Sequence, residues 1–305
     1  MMQNLLKLLT KTESNRKSQK LSNLTSGFTM IELLVGTIIA FLIIVPMLTF
    51  VVDILNRDVR EQAKTNSEQE LQAAIDYIAQ DVSQAFYIYT PNEVSCIQNR
   101  NADSCGTTPE TTGDTAIPTD VGTPILVFWK RKHESNVLPV DGCTPNGTND
   151  CLDDTFVYSL VAYYKIDETS TASVWCDETP CPSRIARVEI SDNPTDGLGN
   201  YIGEVPDNGY NTANIGNRET PGELVRGGGD FNPVAVLVNY IEDFNLNSVD
   251  NNNLAQITII GNSLRRSQNN FSCIEDDSTT PPEYKDSPYC PQATAQVGGR
   301  SGFGE

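Results

Sequence analysis

One histidine, eight cysteines and scattered carboxylates are the residues from which chemistry would have to be assembled in this chain. A nucleophile–base pair would need His133, because Ser-His-Asp and Cys-His sites both require an imidazole to take the proton. His133 lies in the charged run Lys130-Arg131-Lys132-His133-Glu134 at the end of an apolar stretch, where a solvated surface histidine is the simpler reading. Gly227-Gly228-Gly229 lacks the strand, lysine and helix of a phosphate cradle and reads as a linker. No enzyme is therefore expected. The acidic loop Asp141, Asp150, Asp153 and Asp154 offers the oxygen ligands that calcium prefers, although its spacing is not that of an EF-hand. A solvated acidic loop fits the same residues, and no cofactor is expected. Lys130-Arg131-Lys132 is the one dense basic cluster after the first 27 residues. It could meet an anionic polysaccharide or an acidic neighbour, or simply keep a strand end soluble.

Carboxylates set the global charge. The formal net charge is -19, and residues 1–27 contribute Lys7, Lys11, Arg16, Lys17 and Lys20 against Glu13. Without that basic segment the remainder carries -23. Nucleic-acid binding depends on Lys and Arg neutralising phosphates, so no nucleic-acid partner is expected.

The second candidate site is a single carboxylate in an apolar setting. Residues 28–52 read FTMIELLVGTIIAFLIIVPMLTFVV, broken in charge only by Glu32. About 20 apolar residues span a bilayer core at 1.5 Å each, so this run is long enough for a transmembrane helix. The basic residues before it place residues 1–27 in the cytoplasm by the positive-inside rule and the rest on the far side. A secretory signal would be cut after its apolar region, whereas the small pair Ser26-Gly27 lies before it. An uncleaved signal anchor is the alternative. Cleavage after Gly27 would create an amine on Phe28 four residues from Glu32, and opposite charges at that range attract strongly in low dielectric. Glu32 of one copy could then meet the freed amine of a neighbour.

The eight cysteines fall into local pairs: Cys96 with Cys105, Cys143 with Cys151, Cys176 with Cys181, and Cys273 with Cys290. Export past the membrane and an even count favour disulfides on exposed turns. Zinc would prefer Cys-x2-Cys knuckles or nearby histidine, and neither accompanies these pairs.

Gly27-Phe28-Thr29-Met30-Ile31-Glu32-Leu33-Leu34 resembles the processing signal of type IV pilins and type II secretion pseudopilins. The resemblance implies a prepilin peptidase that cuts after Gly27 and N-methylates Phe28. It also implies a role for Glu32 in subunit registration during assembly. Pro46 matches the position where such helices kink or melt; a mid-helix proline removes one hydrogen bond and favours a bend. More narrowly the chain is similar to the J-type pseudopilin and W-type minor pilin group. Within it, Gly36–Val52 and Glu68–Tyr89 are similar to cyanobacterial hormogonium polysaccharide secretion pseudopilins. The implied partners are the peptidase, other pilins or pseudopilins through the N-terminal helix, an inner-membrane assembly platform, and the membrane itself. Calcium stabilises some pseudopilins, which adds weight to the acidic loop as a calcium site.

The elements that would position these residues follow from periodicity. Residues 53–90 are expected to continue the helix amphipathically, with Leu71, Ile75, Ile78, Val82 and Phe86 on one stripe, and Thr90-Pro91-Asn92 as its stop. Beyond it, period-two stretches predict strands at Pro124–Lys130, Thr155–Ile166, Ser173–Cys176, Ile185–Ile190, Val234–Phe244 and Ala255–Ile260. Polar stretches 91–121, 132–154, 191–232 and 267–305 separate them, and Gln296–Glu305 reads as a flexible tail. The organisation expected is a cleaved leader over 1–27, a transmembrane and assembly helix over 28–52, and its amphipathic continuation over 53–90. A globular β domain over 91–266 and a stapled loop with tail over 267–305 complete it. The fold class is α+β: a long N-terminal helix on an antiparallel sheet, the plan of the pilin fold. The function expected is a minor pilin or pseudopilin near a filament tip, in polysaccharide secretion and gliding motility. It would be held by a single span in the inner membrane with its C-terminal domain periplasmic or extracellular. The alternative is a pilus-displayed adhesin or other ligand-binding module.

Overall fold

Thr29 starts the first element by accepting the Glu32 and Leu33 N–H groups on its carbonyl, at 3.1 and 3.2 Å. Helix α1 then runs Met30–Val82 and contains Pro46. The computed structural model describes residues 27–98, 117, 121–140, 152–169, 171, 173–176, 179–193, 235–268, 270–279 and 282–300. Contacts divide the chain into one unit ending at Asn56 and a second beginning at Arg57.

In the first unit every described residue is exposed, including the large apolar side chains from Phe28 to Leu55.

The second unit is organised by the stripe read from the sequence. Leu71, Ile75, Ile78 and Val82 are buried, and Ala74 joins them. They face a seven-stranded antiparallel sheet built from β1 (Ala85–Ile88), β2 (Thr123–Pro139), β3 (Leu152–Asp167), β4 (Ser183–Ser191), β5 (Ala235–Asp250), β6 (Leu254–Gly261) and β9 (Gln292–Gly298). The strands lie in that order across the sheet. Phe128, Tyr163, Ile185, Phe244, Ile257 and Ile259 share the core with the helix. Gly261 lets β6 approach α1 closely: a Cβ there would sit 2.9 Å from Leu71 Cδ1. The alternate side chains Val127, Leu160, Ala162, Tyr164, Val188 and Ile190 are buried on the opposite face with Tyr89 and Val94. The middle of β3 is thus covered on both sides, which explains its near-continuous apolar run. A smaller pair, β7 (Ile274–Asp276) and β8 (Glu283–Tyr284), and a 3₁₀ turn at Ser263–Arg266 complete the unit.

α+β therefore holds at the level of one long helix and an antiparallel sheet. Several boundaries differ from the sequence reading. The helix ends at Val82 rather than near residue 90, and Phe86 lies on β1 with its ring edge-on to Tyr158. Thr90-Pro91-Asn92 starts a helix instead of stopping one: α2 runs Pro91–Gln98. The cause is a capping box. The Thr90 N–H donates to Glu93 Oε2 at 2.7 Å, the Glu93 N–H donates to Thr90 Oγ1 at 3.3 Å, and Pro91 occupies the first helical position, where no N–H is needed. Ser173–Cys176 is a turn rather than a strand. β2 extends to Pro139 and pairs with β3 as far as Leu152, so part of the 132–154 stretch is a hairpin arm. The 267–305 segment is more than loop and tail, because β9 adds Gln292–Gly298 to the main sheet. The expectation of a tail starting at Gln296 fails for Gln296–Gly298. Asn251 and Asn252, both with positive φ, turn β5 into β6, and asparagine tolerates that conformation better than other side chains.

Candidate functional site

The residues singled out for processing and assembly lie at the start of α1. Gly27, Phe28 and Thr29 precede the helix, and Phe28 is 81% exposed. Thr29 and Glu32 have the spacing of a capping box, and half of one is present: the Glu32 N–H donates to Thr29 Oγ1 at 3.3 Å. Among the described residues the Glu32 carboxylate takes no hydrogen bond or ion pair. The hydroxyls of the apolar stretch are satisfied within the helix. Thr37 Oγ1 donates to the Leu34 carbonyl at 2.8 Å and Thr49 Oγ1 to the Val45 carbonyl at 2.7 Å. Side chains bonded to their own helix are what a hydrocarbon environment demands.

The segment is long and apolar enough to cross a membrane, and its described residues are exposed. Removing a Leu, Ile, Val or Phe side chain from water gains about 1.5–3 kcal/mol. Over the run from Phe28 to Leu55 that sum outweighs the cost of one carboxylate in an apolar span, on the order of a few kcal/mol.

The remaining sequence candidates separate. Cys176–Cys181 and Cys273–Cys290 are disulfides, with Cα atoms 5.0 and 5.7 Å apart. Cys96 has its backbone in α2; Cys105, Cys143 and Cys151, like the leader 1–26, lie outside the described residues. Of the acidic loop, Asp141 and Asp150 also lie outside. Asp153 and Asp154 are exposed and already engaged, accepting the N–H groups of Asp154 at 3.0 Å and Asn136 at 2.9 Å. Among the described residues no cluster of three potential ligands could hold a metal. His133 is half-exposed, 3.3 Å from Asp154 and edge-on to Phe156. Strand alternation sets Arg131, over the Phe156 ring at 4.5 Å, on one face of β2 and Lys130 and Lys132 on the other, where Lys130 turns inward and Lys132 pairs with Glu134 at 2.9 Å.

Lys130 leads to a site that sequence reasoning missed. Its Nζ is 2.8 Å from Asp81 Oδ1 and 3.2 Å from Glu189 Oε1. Asp81 Oδ2 accepts from Tyr163 Oη and Arg187 Nε, both at 2.8 Å, and Arg187 Nη2 reaches Glu189 at 2.5 Å. Two cations and two carboxylates thus neutralise each other where the last turn of α1 meets β2, β3 and β4. Burial would raise the Asp81 pKa, but hydrogen bonds from Arg187 and Lys130, together with their charges, hold it below the usual carboxylate value. Glu189 is held down by the same neighbours against its own burial. Burial and Asp81 push the Tyr163 phenol up, so it stays a donor. The available signal was charge at inward-facing positions: Lys130 follows Phe128 by two residues, and Arg187 and Glu189 follow Ile185 by two and four. The arrangement ties helix to sheet. Comparison with protein-family models, curated proteins and solved structures finds no match for this chain.

Proposed function

We propose that this chain is a prepilin-like subunit, a minor pilin or pseudopilin, cut after Gly27 and inserted in a filament through α1. The observation that carries the reading is the coincidence of Gly27-Phe28 with the start of an apolar stretch of α1 whose residues are exposed, in which Glu32, without a partner among the described residues, sits four residues beyond Phe28. A free amine on Phe28 supplies the positive charge that a carboxylate in an apolar span requires. In this reading the membrane holds the helix before assembly and the equivalent helices of neighbouring subunits replace it afterwards. Prepilin peptidase, other pilins or pseudopilins and an inner-membrane platform are the partners. The C-terminal unit, with two disulfides among its described residues, faces the oxidising side. Polysaccharide secretion in gliding cells is the export role that the resemblance supports.

The test is the N-terminus of the membrane-extracted protein, read by mass spectrometry beside a Gly27→Ala variant. The reading expects wild-type chains that begin at N-methylated Phe28 and a variant that keeps its leader. An intact leader on the wild type, in cells that process other prepilins, overturns it.

A further inference from the structure

Thr29 uses its hydroxyl unlike the threonines inside α1. Thr37, Thr49 and Thr65 each donate their Oγ1 proton back to an earlier carbonyl of the helix, at 2.8, 2.7 and 2.9 Å. Thr29 does the reverse: its Oγ1 accepts the Glu32 N–H at 3.3 Å, and its carbonyl accepts the Glu32 and Leu33 N–H groups. That is the geometry of an N-cap, the residue at which a helix begins. Thr29 directly follows Phe28, so both residues of the Gly27–Phe28 bond precede the helix. The fold makes no comparable demand on Gly27, where an added Cβ would meet nothing within 4 Å.

Without this cap the helix has another place to start. Ser26 carries the next hydroxyl upstream, in Ser26-Gly27-Phe28-Thr29, and serine is a capping residue. A helix begun from Ser26 would take Gly27 and Phe28 into its first turn and pair the Gly27 carbonyl with the Ile31 N–H. Peptide-binding clefts take extended chain, whose backbone groups are free to bond the protein around them. Hydrolysis then puts the oxygen and one hydrogen of water on the Gly27 carbonyl carbon. The other hydrogen goes to the Phe28 nitrogen, which departs as the amine. A carbonyl engaged in a helical turn is withheld from both the cleft and the attack.

We propose that Thr29 is a positioning residue for cleavage, the cap that keeps Gly27–Phe28 outside α1 and open to the peptidase. The inference rests on the prepilin reading and adds to it a residue that acts through the helix start.

Two variants of the full-length chain separate capping from direct recognition of the side chain. Thr29→Val keeps the shape and removes the acceptor, whereas Thr29→Asn changes the shape and keeps a capping oxygen. Initial cleavage rates are measured in detergent micelles with a prepilin peptidase, over a range of substrate concentrations. Thr29→Val is expected to raise KM about two- to fivefold at unchanged kcat, because a smaller fraction of the chain is competent to bind. Thr29→Asn is expected to match the wild type. In the uncut chain, amide exchange at Met30 and Ile31 should slow in Thr29→Val alone, since a helix begun at Ser26 gives both N–H groups partners. A Thr29→Val chain cut like the wild type overturns the role of Thr29 and leaves the prepilin reading standing. So does a Thr29→Asn chain as impaired as Thr29→Val. A wild type that the peptidase does not cut overturns both.

Discussion

Replacing Asp81 with alanine removes the acceptor on which three donors converge, and the structure sets what that costs. Lys130 Nζ, Tyr163 Oη and Arg187 Nε all lie 2.8 Å from the Asp81 carboxylate. The Asp81 and Lys130 side chains are 8% and 10% exposed, so water cannot take its place without opening the helix–sheet contact. With Asp81 gone, Glu189 alone faces two cations, leaving one uncompensated positive charge. Breaking a buried pair in this way costs about 3–5 kcal/mol, a large share of the roughly 5–15 kcal/mol that stabilises a typical domain. The assay is urea unfolding of the full chain in micelles, followed by tryptophan fluorescence, since Trp129 Nε1 donates to Tyr89 Oη within the sheet. At a slope of about 2–3 kcal/mol/M the midpoint should fall by about 1–2.5 M.

The pH dependence provides a second check on the same residue. Folding depresses the Asp81 and Glu189 pKa values. Their contribution is then complete above the unfolded values, about 4, and disappears as pH falls through the lower folded values. Wild-type stability should drop below about pH 4, and Asp81→Ala should show a shallower acid limb because one of the depressed carboxylates, Asp81, no longer contributes to it. A variant within about 1 kcal/mol of wild type at pH 7, or with the same acid limb, refutes the assignment of the cluster as the helix–sheet tie.

Two further expectations concern the core and its staple. Ile78 is fully buried between α1 and the sheet, so Ile78→Ala should cost about 2–5 kcal/mol, measured by the same denaturation. Cys273 and Cys290 lie 17 residues apart, and replacing both with serine should cost about 3 kcal/mol and make the melting temperature insensitive to reductant at this site.

The helix stripe, five of the six strands and two cysteine pairs were legible because each depends on local periodicity or spacing. The remainder depended on partners distant in sequence. β9 was unreadable since alanine, glutamine and glycine carry little strand preference; Thr258 and Thr294, 3.0 Å apart, show that its place comes from β6. The early end of α1 follows from the chain turning at Ser83 and Gln84 into β1, whose residues also fit a helical stripe. Thr90-Pro91-Asn92-Glu93 carried both meanings of proline, stop and first turn, and Glu93 decides between them by reaching back to Thr90. For Gly27, Phe28 and Glu32 the argument is the sequence motif, to which the structure adds the exposed start of α1.

Helix α1 carries two carboxylates in apolar surroundings, and the comparison between them gives the functional reading its physical content. Asp81 interrupts a buried stripe and is held by Lys130, Arg187 and Tyr163 from three strands, so its cost is met within the fold. Glu32 interrupts an apolar stretch in the same way, and among the described residues it has no such neighbours. A charge of that kind is retained only where a partner arrives. The reading assigns that partner to the amine freed at Phe28 of an adjoining subunit, which makes processing and assembly a single requirement. Glu32→Gln should then leave cleavage after Gly27 intact, because the cut precedes the helix, yet sharply reduce incorporation into filaments. The check is cleavage by mass spectrometry against the sheared filament fraction from the same cells. Filaments that take up the Glu32→Gln subunit as well as wild type would remove the electrostatic role and leave Glu32 without an explanation.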